Sequence, residues 1–413
     1  MSAPESTPKA APRRSAKTVV SLLYVYGGRG TGLVWTLALI HQLGISDYGL
    51  YSLGFALMTV LGQTLSNPYV VRAVRESEED FVRERAGRYL LGLGLMVLAQ
   101  VFLPLNYIVW FGITVSGGEL IVGAYKARAM RRGDPHVTSR IDTSRQVGSV
   151  VAGCAYLFGA SMLGMHPTLL GASVAYCVPY VVIAVLAAFT VRGHRPQLPG
   201  PPRTILVLAG EMLGTSTFLA GDVLLLGWLT DTTVVGYYNL TWVVASAICY
   251  VGQAFGTTYT QTLRDSGGEL STGPPLKYTV VLGVGGGLLV LLVGIGLLIS
   301  PAPHELAVAM IIMSAYCAFR TVIMVFQFVL YAQRRDMVRM TAVIGLVPVK
   351  FGLLAALAHL GAVGAAIATS VSDAALLVIF TLAIYGKGRH GNRPAKDESD
   401  VPAVERPGDA AGG

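Results

Sequence analysis

From Thr168 to Val191, and again from Tyr278 to Ile299, the chain runs without one charged residue. About 20 such residues cross a hydrocarbon core of roughly 30 Å as a helix, since each advances the axis by about 1.5 Å. No water reaches the backbone there, so every such segment must close its hydrogen bonds internally. Segments of this kind are placed at 18–43, 49–71, 89–104, 107–125, 146–163, 168–191, 204–229, 234–260, 278–299, 306–332, 340–358 and 362–386. Composition agrees: 53% of residues are hydrophobic and 13% charged, against about 25% charged in a soluble domain. The expected fold class is an all-α integral membrane protein with about twelve transmembrane helices.

Charge sets the expected orientation. The connections near Asp47, Asn106, His166, Asp231, 301–305 and 359–361 hold no Lys or Arg, whereas the alternate ones hold nearly all of them. Of 31 cations, 28 fall in the N-terminal stretch, the alternate connections and the tail, among them Arg72, Arg75, Arg83, Arg85, Arg88, Lys126, Arg140 and Arg145. Cationic connections stay cytoplasmic, so both termini are expected inside. A net charge of +8 scattered in this way reads as topology and not as a nucleic-acid surface. Met1–Lys17 is expected to be a cytoplasmic tail before a retained first span, and 387–413 a disordered cytoplasmic tail.

A short repeat divides the spans. Gly49-Leu50-Tyr51 follows a tight turn carrying Asp47, and Gly236-Tyr237-Tyr238 follows one carrying Asp231, 187 residues and six spans later. Six is even, so the repeats are parallel: one bundle over 18–191, a linker over 192–203 and a second bundle over 204–386.

The three cations outside the connections are Arg29, Arg320 and Lys350, each near the middle of a span. An ionisable group at that depth faces a cavity or a partner. Two readings stand side by side. In one, these cations bind a phosphate or acidic sugar, Arg through bidentate contacts and Lys as a point charge. In the other they pair with acids at similar depth, Lys350 with Asp373 or Arg29 with Glu119, and hold helices together. Glu119, Asp222 and Asp373 are also candidates for proton or sodium coupling. Polar runs on span two (Gln63, Thr64, Ser66, Asn67) and span eight (Asn239, Gln253, Thr257, Thr258, Gln261) offer hydrogen bonds either to a sugar chain or between helices. Tyr48, Tyr51, Trp110, Tyr237, Tyr238 and Trp242 lie near span ends and are expected to be interfacial anchors. The four cysteines lie in apolar runs without paired spacing, so no disulfide framework, metal site or cofactor is indicated.

The block Leu43–Tyr51, the helix ending Asn67-Pro68-Tyr69-Val70-Val71-Arg72, and the echo at 236–238 together resemble the bacterial polysaccharide and lipid-linked oligosaccharide flippases. These form the Wzx-like branch of the multidrug/oligosaccharidyl-lipid/polysaccharide exporter superfamily. The resemblance implies two six-helix bundles around a cavity that opens to either side in turn. It also implies a polyprenyl-pyrophosphate-linked glycan as cargo; the midplane cations Arg29, Arg320 and Lys350 and the polar Asn67, Gln63 and Gln253 are the residues expected to bind it, and the glycosyltransferases or polymerase of the same pathway are the expected partners. A drug or cation exporter of the same superfamily is the alternative, and it calls for net acid in the cavity. A membrane enzyme would need a substantial external loop; His304-Glu305 lacks the second His of a metalloprotease helix, and Gly283–Gly287 lies inside a span. A scaffold whose buried charges serve only assembly is the remaining possibility.

Overall fold

The computed structural model describes residues 27–28 and 30–386. Arg29, both tails and the start of the first span lie outside the described residues. Twelve long helices follow one another: α1 (30–43), α2 (Ile45–Arg75), α3 (Glu78–Ala99), α4 (Tyr107–Arg131), α5 (Pro135–Met162), α6 (Leu169–Val191), α7 (Pro202–Leu229) and α8 (Thr232–Thr258), then, after the short α9 (Thr260–Asp265), α10 (Leu276–Ile299), α11 (His304–Ala332), α12 (Asp336–Leu357) and α13 (Gly361–Tyr385). No strand occurs among the described residues.

Local chemistry sets the helix starts. Asn106 accepts from Val109 N at 3.1 Å, Thr168 from Gly171 N at 3.2 Å and Asp231 from Val234 N at 2.9 Å, each supplying an acceptor to a first-turn amide that has none within its helix. The turn between α1 and α2 is a single residue, Gly44, at φ 91°, where a Cβ is strained. Ser77 caps α3 and is followed by Glu78, Glu79 and Asp80, acids suited to the positive end of the helix dipole.

Several helices outrun their expected spans. α3 begins at Glu78 and not near residue 89, and α5 at Pro135 and not near 146. A hydropathy window finds only the apolar slab, whereas hydrogen bonding carries the helix on through polar turns. Arg85, Arg88, Arg140 and Arg145 are therefore helical residues, not loop residues. By length and apolar composition, seven stretches qualify as membrane spans: α4, α6, α7, α8, α10, α11 and the continuous run Asp336–Tyr385 that holds α12 and α13. α2, α3 and α5 carry polar or charged faces that lower their mean hydropathy.

Within α1–α6, α4 packs against α2, α3 and α6, and α5 against α6; within α7–α13, α11 packs against α8, α10 and α13, and α12 against α7 and α13. The fourth long helix of each set is thus its core. The two sets meet where α2 crosses α7 and α8. Apolar clusters fill each set, one around Trp35, Tyr51, Phe111 and Tyr176 and another around Phe218, Phe326 and Phe380, while a third joins Leu53 and Ala56 of α2 to Leu226 and Tyr238.

Candidate functional site

The two copies of the Gly-x-Tyr repeat meet each other. A Cβ on Gly49 would overlap the carbonyl oxygen of Thr232 and lie 2.8 Å from its carbon and 3.0 Å from Gly236 N; one on Gly236 would overlap the carbonyl oxygen of Ile45. Ile45 and Thr232 are themselves 187 residues apart, so the contact is reciprocal, as across a two-fold axis. The next equivalent pair, Ser52 and Asn239, hydrogen-bonds to itself: Asn239 Nδ2 donates to Ser52 Oγ at 2.8 Å and to Tyr48 Oη at 2.8 Å. Ser46 Oγ and Thr232 Oγ1 lie 2.6 Å apart beside this crossing. At the other end of α2, Asn67 Nδ2 donates to Leu208 O at 2.9 Å, a second tie between the sets.

Between these two ties lies a cavity of about 330 Å³, lined by Trp35, Tyr51, Phe55, Gln63, Tyr176 and Trp242 together with Tyr48 and Asn239. The aromatic residues expected as lipid-interface anchors are for the most part here or in the core. Tyr48, Tyr51, Trp110 and Tyr238 are all buried. Trp35 stacks on Tyr176 at 5.4 Å between ring centroids and meets Tyr51 edge-on at 6.0 Å. Proximity to a helix end marked their depth in the membrane but not the direction in which they point.

Phe55, Thr59 and Gln63 also line a second cavity of about 490 Å³, so the two adjoin. Its walls are Ser66 and Asn67 of α2, Arg88 of α3, Glu119 and Lys126 of α4, and Met212 of α7. Lys126 Nζ meets both carboxylate oxygens of Asp142 at 2.7 Å. Arg145 reaches Glu119 Oε1 at 3.2 Å and donates to Tyr180 Oη at 2.6 Å, and Tyr180 donates to Glu119 at 2.8 Å. Arg88 differs from both cations. It is 4% exposed, donates to Ser66 Oγ, and has no ion-pair partner within 4.0 Å among the described residues. Its Nε is buried without an acceptor, and the missing side chain of Gly123 leaves room for the guanidinium. Counting charges along the sequence assigned Arg88 to a connection; its place between Glu84 and Tyr89, inside an emerging helix, was the signal available.

Arg320 and Lys350 lie elsewhere. Both are buried in the second set, and neither lines the two cavities. Lys350 Nζ sits 2.6 Å from Asp222 Oδ2 and donates to Phe218 O at 2.9 Å. The same carboxylate accepts from Tyr238 Oη, which also pairs with Thr369 Oγ1 at 2.7 Å. Arg320 Nε lies 3.6 Å from Asp373 Oδ2, which has no hydrogen-bond donor among the described residues. The carboxylate nearest Lys350 is thus Asp222 and not Asp373, and Glu119 is engaged by Arg145, while Arg29, its expected partner, lies outside the described residues. Among the other expected ligands, Gln63 lines both cavities and Asn67 the second, while Gln253 is exposed on α8 and lines neither.

The repeat makes these networks comparable. A shift of 187 carries Trp35 to Asp222 and Tyr51 to Tyr238. In the first set this pair, with Tyr176 of α6, is an aromatic trio; in the second, with Thr369 of α13, it is a polar one holding Lys350.

No family profile matches the chain, and no curated protein matches it by sequence. Solved structures do match in fold. Lipid II flippase MurJ in an inward closed conformation superposes with a TM-score of 0.64 at 11% identity, over 89% of this chain and 87% of that one. An inward-facing multidrug resistance MATE family transporter of the MOP superfamily gives 0.60 at 12% identity, over 89% and 97%. The MATE multidrug transporter DinF-BH gives 0.60 at 13% identity, over 92% and 96%. With helices long and apolar enough to cross a bilayer repeatedly, this is a multi-pass membrane protein with the fold seen in lipid II flippase MurJ and in the MATE transporters.

Proposed function

We propose that the chain crosses the cytoplasmic membrane twelve times with both termini inside, as six-helix bundles over 18–191 and 204–386. It moves a polyprenyl-pyrophosphate-linked glycan outward by alternating access, as a transporter and not an enzyme, and needs no cofactor. The observation that carries this reading is Arg88, a buried cation on a cavity wall with no carboxylate paired to it among the described residues. A guanidinium left unpaired in low dielectric is costly, and a phosphate oxygen is the group it suits best. Gln63, Ser66 and Asn67 beside it supply donors for sugar hydroxyls. Arg29 remains a candidate ligand of the same cargo. Glu119, the one of the three acids that lines either cavity, is the favoured coupling residue. The glycosyltransferases or polymerase of the pathway would act on the cargo before and after it crosses.

A second reading, a multidrug exporter, is favoured by the aromatic lining around Trp35, Tyr51 and Tyr176, which suits a flat organic cation. Uptake into inverted vesicles separates the two. A polyprenyl-pyrophosphate-linked oligosaccharide should be carried by the parent chain, at least tenfold less by Arg88→Gln and partly by Arg88→Lys at equal protein level. Transport of that substrate by Arg88→Gln at the parent's rate would end the phosphate role. Transport of an organic dye, with the glycan lipid ignored, would establish the second reading.

A further inference from the structure

A third cavity opens on the flank of the first set, away from the crossing of α2 with α8. It is a groove of about 460 Å³ between α5 and α6 with Tyr125 of α4 at its side. One wall is a stripe of α5 at four-residue intervals, Arg140, Ser144, Gly148 and Ala152. Facing it on α6 are Val178 and Val182, which are 49% and 53% exposed, beside the helix-interior Pro179. The helices touch at the groove's floor, where a Cβ on Gly148 would lie 3.3 Å from Pro179 Cγ.

The lining holds two arginines and no acid. Arg140 has no ion-pair partner within 4.0 Å among the described residues, and Arg145 forms the inner wall, its guanidinium turned onto Glu119 of the neighbouring cavity. Length adds a second constraint. Arg140 and Ala152 are twelve residues apart on one helix, about 18 Å along its axis. That is close to half of a hydrocarbon core of roughly 30 Å. The groove therefore runs from a cationic end to mid-membrane, the extent of a single leaflet.

We propose that this groove is a binding site for an anionic glycerophospholipid of the inner leaflet, its phosphate on Arg140, with the Arg145 charge behind it at the inner wall, and one acyl chain against Gly148, Ala152, Val178 and Val182. A chain of one-leaflet length fills such a groove, whereas a long polyprenyl chain outruns it. Electrostatics favours the inner leaflet, where anionic lipids gather and where Arg140 lies in the orientation proposed above. The bound lipid fills the flank of α5, whose other sides pack against α6, α4 and, at Gly153 and Gln146, α1, and sets its phosphate one side chain away from Glu119.

Lipid retention by the full chain in detergent, read by native mass spectrometry, tests this without reference to cargo or orientation, so its failure leaves the proposed transport untouched. One phosphatidylglycerol should be retained at concentrations where phosphatidylcholine is not. Arg140→Gln should weaken retention about tenfold, the loss of one charge-assisted contact, and Val182→Trp should do the same by filling the groove with both arginines in place. Arg192→Gln, an exposed cation outside the groove, should retain the lipid as the parent does. Equal retention by both groove variants would overturn the proposal. So would an equal loss in Arg192→Gln, which would mark diffuse surface charge, or displacement by polyprenyl phosphate below the phosphatidylglycerol concentration, which would make the groove a cargo site.

Discussion

Placing a single methyl group on Gly49 should move the equilibrium between conformations of the whole molecule. In Gly49→Ala the new Cβ overlaps a backbone carbonyl of Thr232, and Gly236 N is only 3.0 Å away. Both obstacles are main chain at the start of α8, so no rotamer change relieves them. The helices must part by more than an ångström before the overlap becomes ordinary contact. Overpacking of this kind costs about 1–3 kcal/mol, roughly a five- to 150-fold change in an equilibrium constant. The cost falls only on conformations in which the repeats touch. Ser46→Cys with Thr232→Cys reports on that contact, since the native hydroxyls lie 2.6 Å apart; the four native cysteines are replaced first. Adding Gly49→Ala should slow disulfide formation by the stated factor, and Gly236→Ala should act in the same direction. Gly345→Ala, where a Cβ has nothing within 4 Å, should leave the rate unchanged. Cross-linking of a folded Gly49→Ala chain at the parent's rate would refute the close-contact argument.

Lys350→Met should lower stability by about 3–5 kcal/mol by leaving Asp222 buried and uncompensated, whereas Lys350→Met with Asp222→Asn should recover most of it; thermal melts in detergent compare the three chains. Asn67→Ala removes the hydrogen bond to Leu208 O, worth about 1 kcal/mol, and should raise thiol labelling of a Gln63→Cys reporter severalfold by easing the sets apart at that end.

Helix positions were legible because the bilayer imposes a length and the turns carry Asn106, Thr168 and Asp231. The repeat was legible as well, since Gly49 and Gly236 must both be small for one physical reason. Side-chain direction was not. Tyr51 and Trp110 sit where interfacial anchors sit, yet both point into the core, and no periodicity in so apolar a helix tells one face from another. Arg88 and Arg145 defeated a count that treats every cation near a span end as solvated. A partner such as Asp222 for Lys350 depends on α12 lying against α7, which linear order does not convey.

The reciprocal crossing constrains the two sets jointly. Each set presents the same patch to the other, a glycine against a carbonyl followed by a Ser or Asn, which is the geometry by which two identical chains form a closed dimer. The seam thus has the form of a homodimer interface carried within one polypeptide. Away from the seam the equivalence does not hold, and positions 187 residues apart carry Trp35 in one set and Asp222 in the other. At the seam itself the copies still answer to each other, and substitutions tolerated there should arise in matched pairs 187 residues apart.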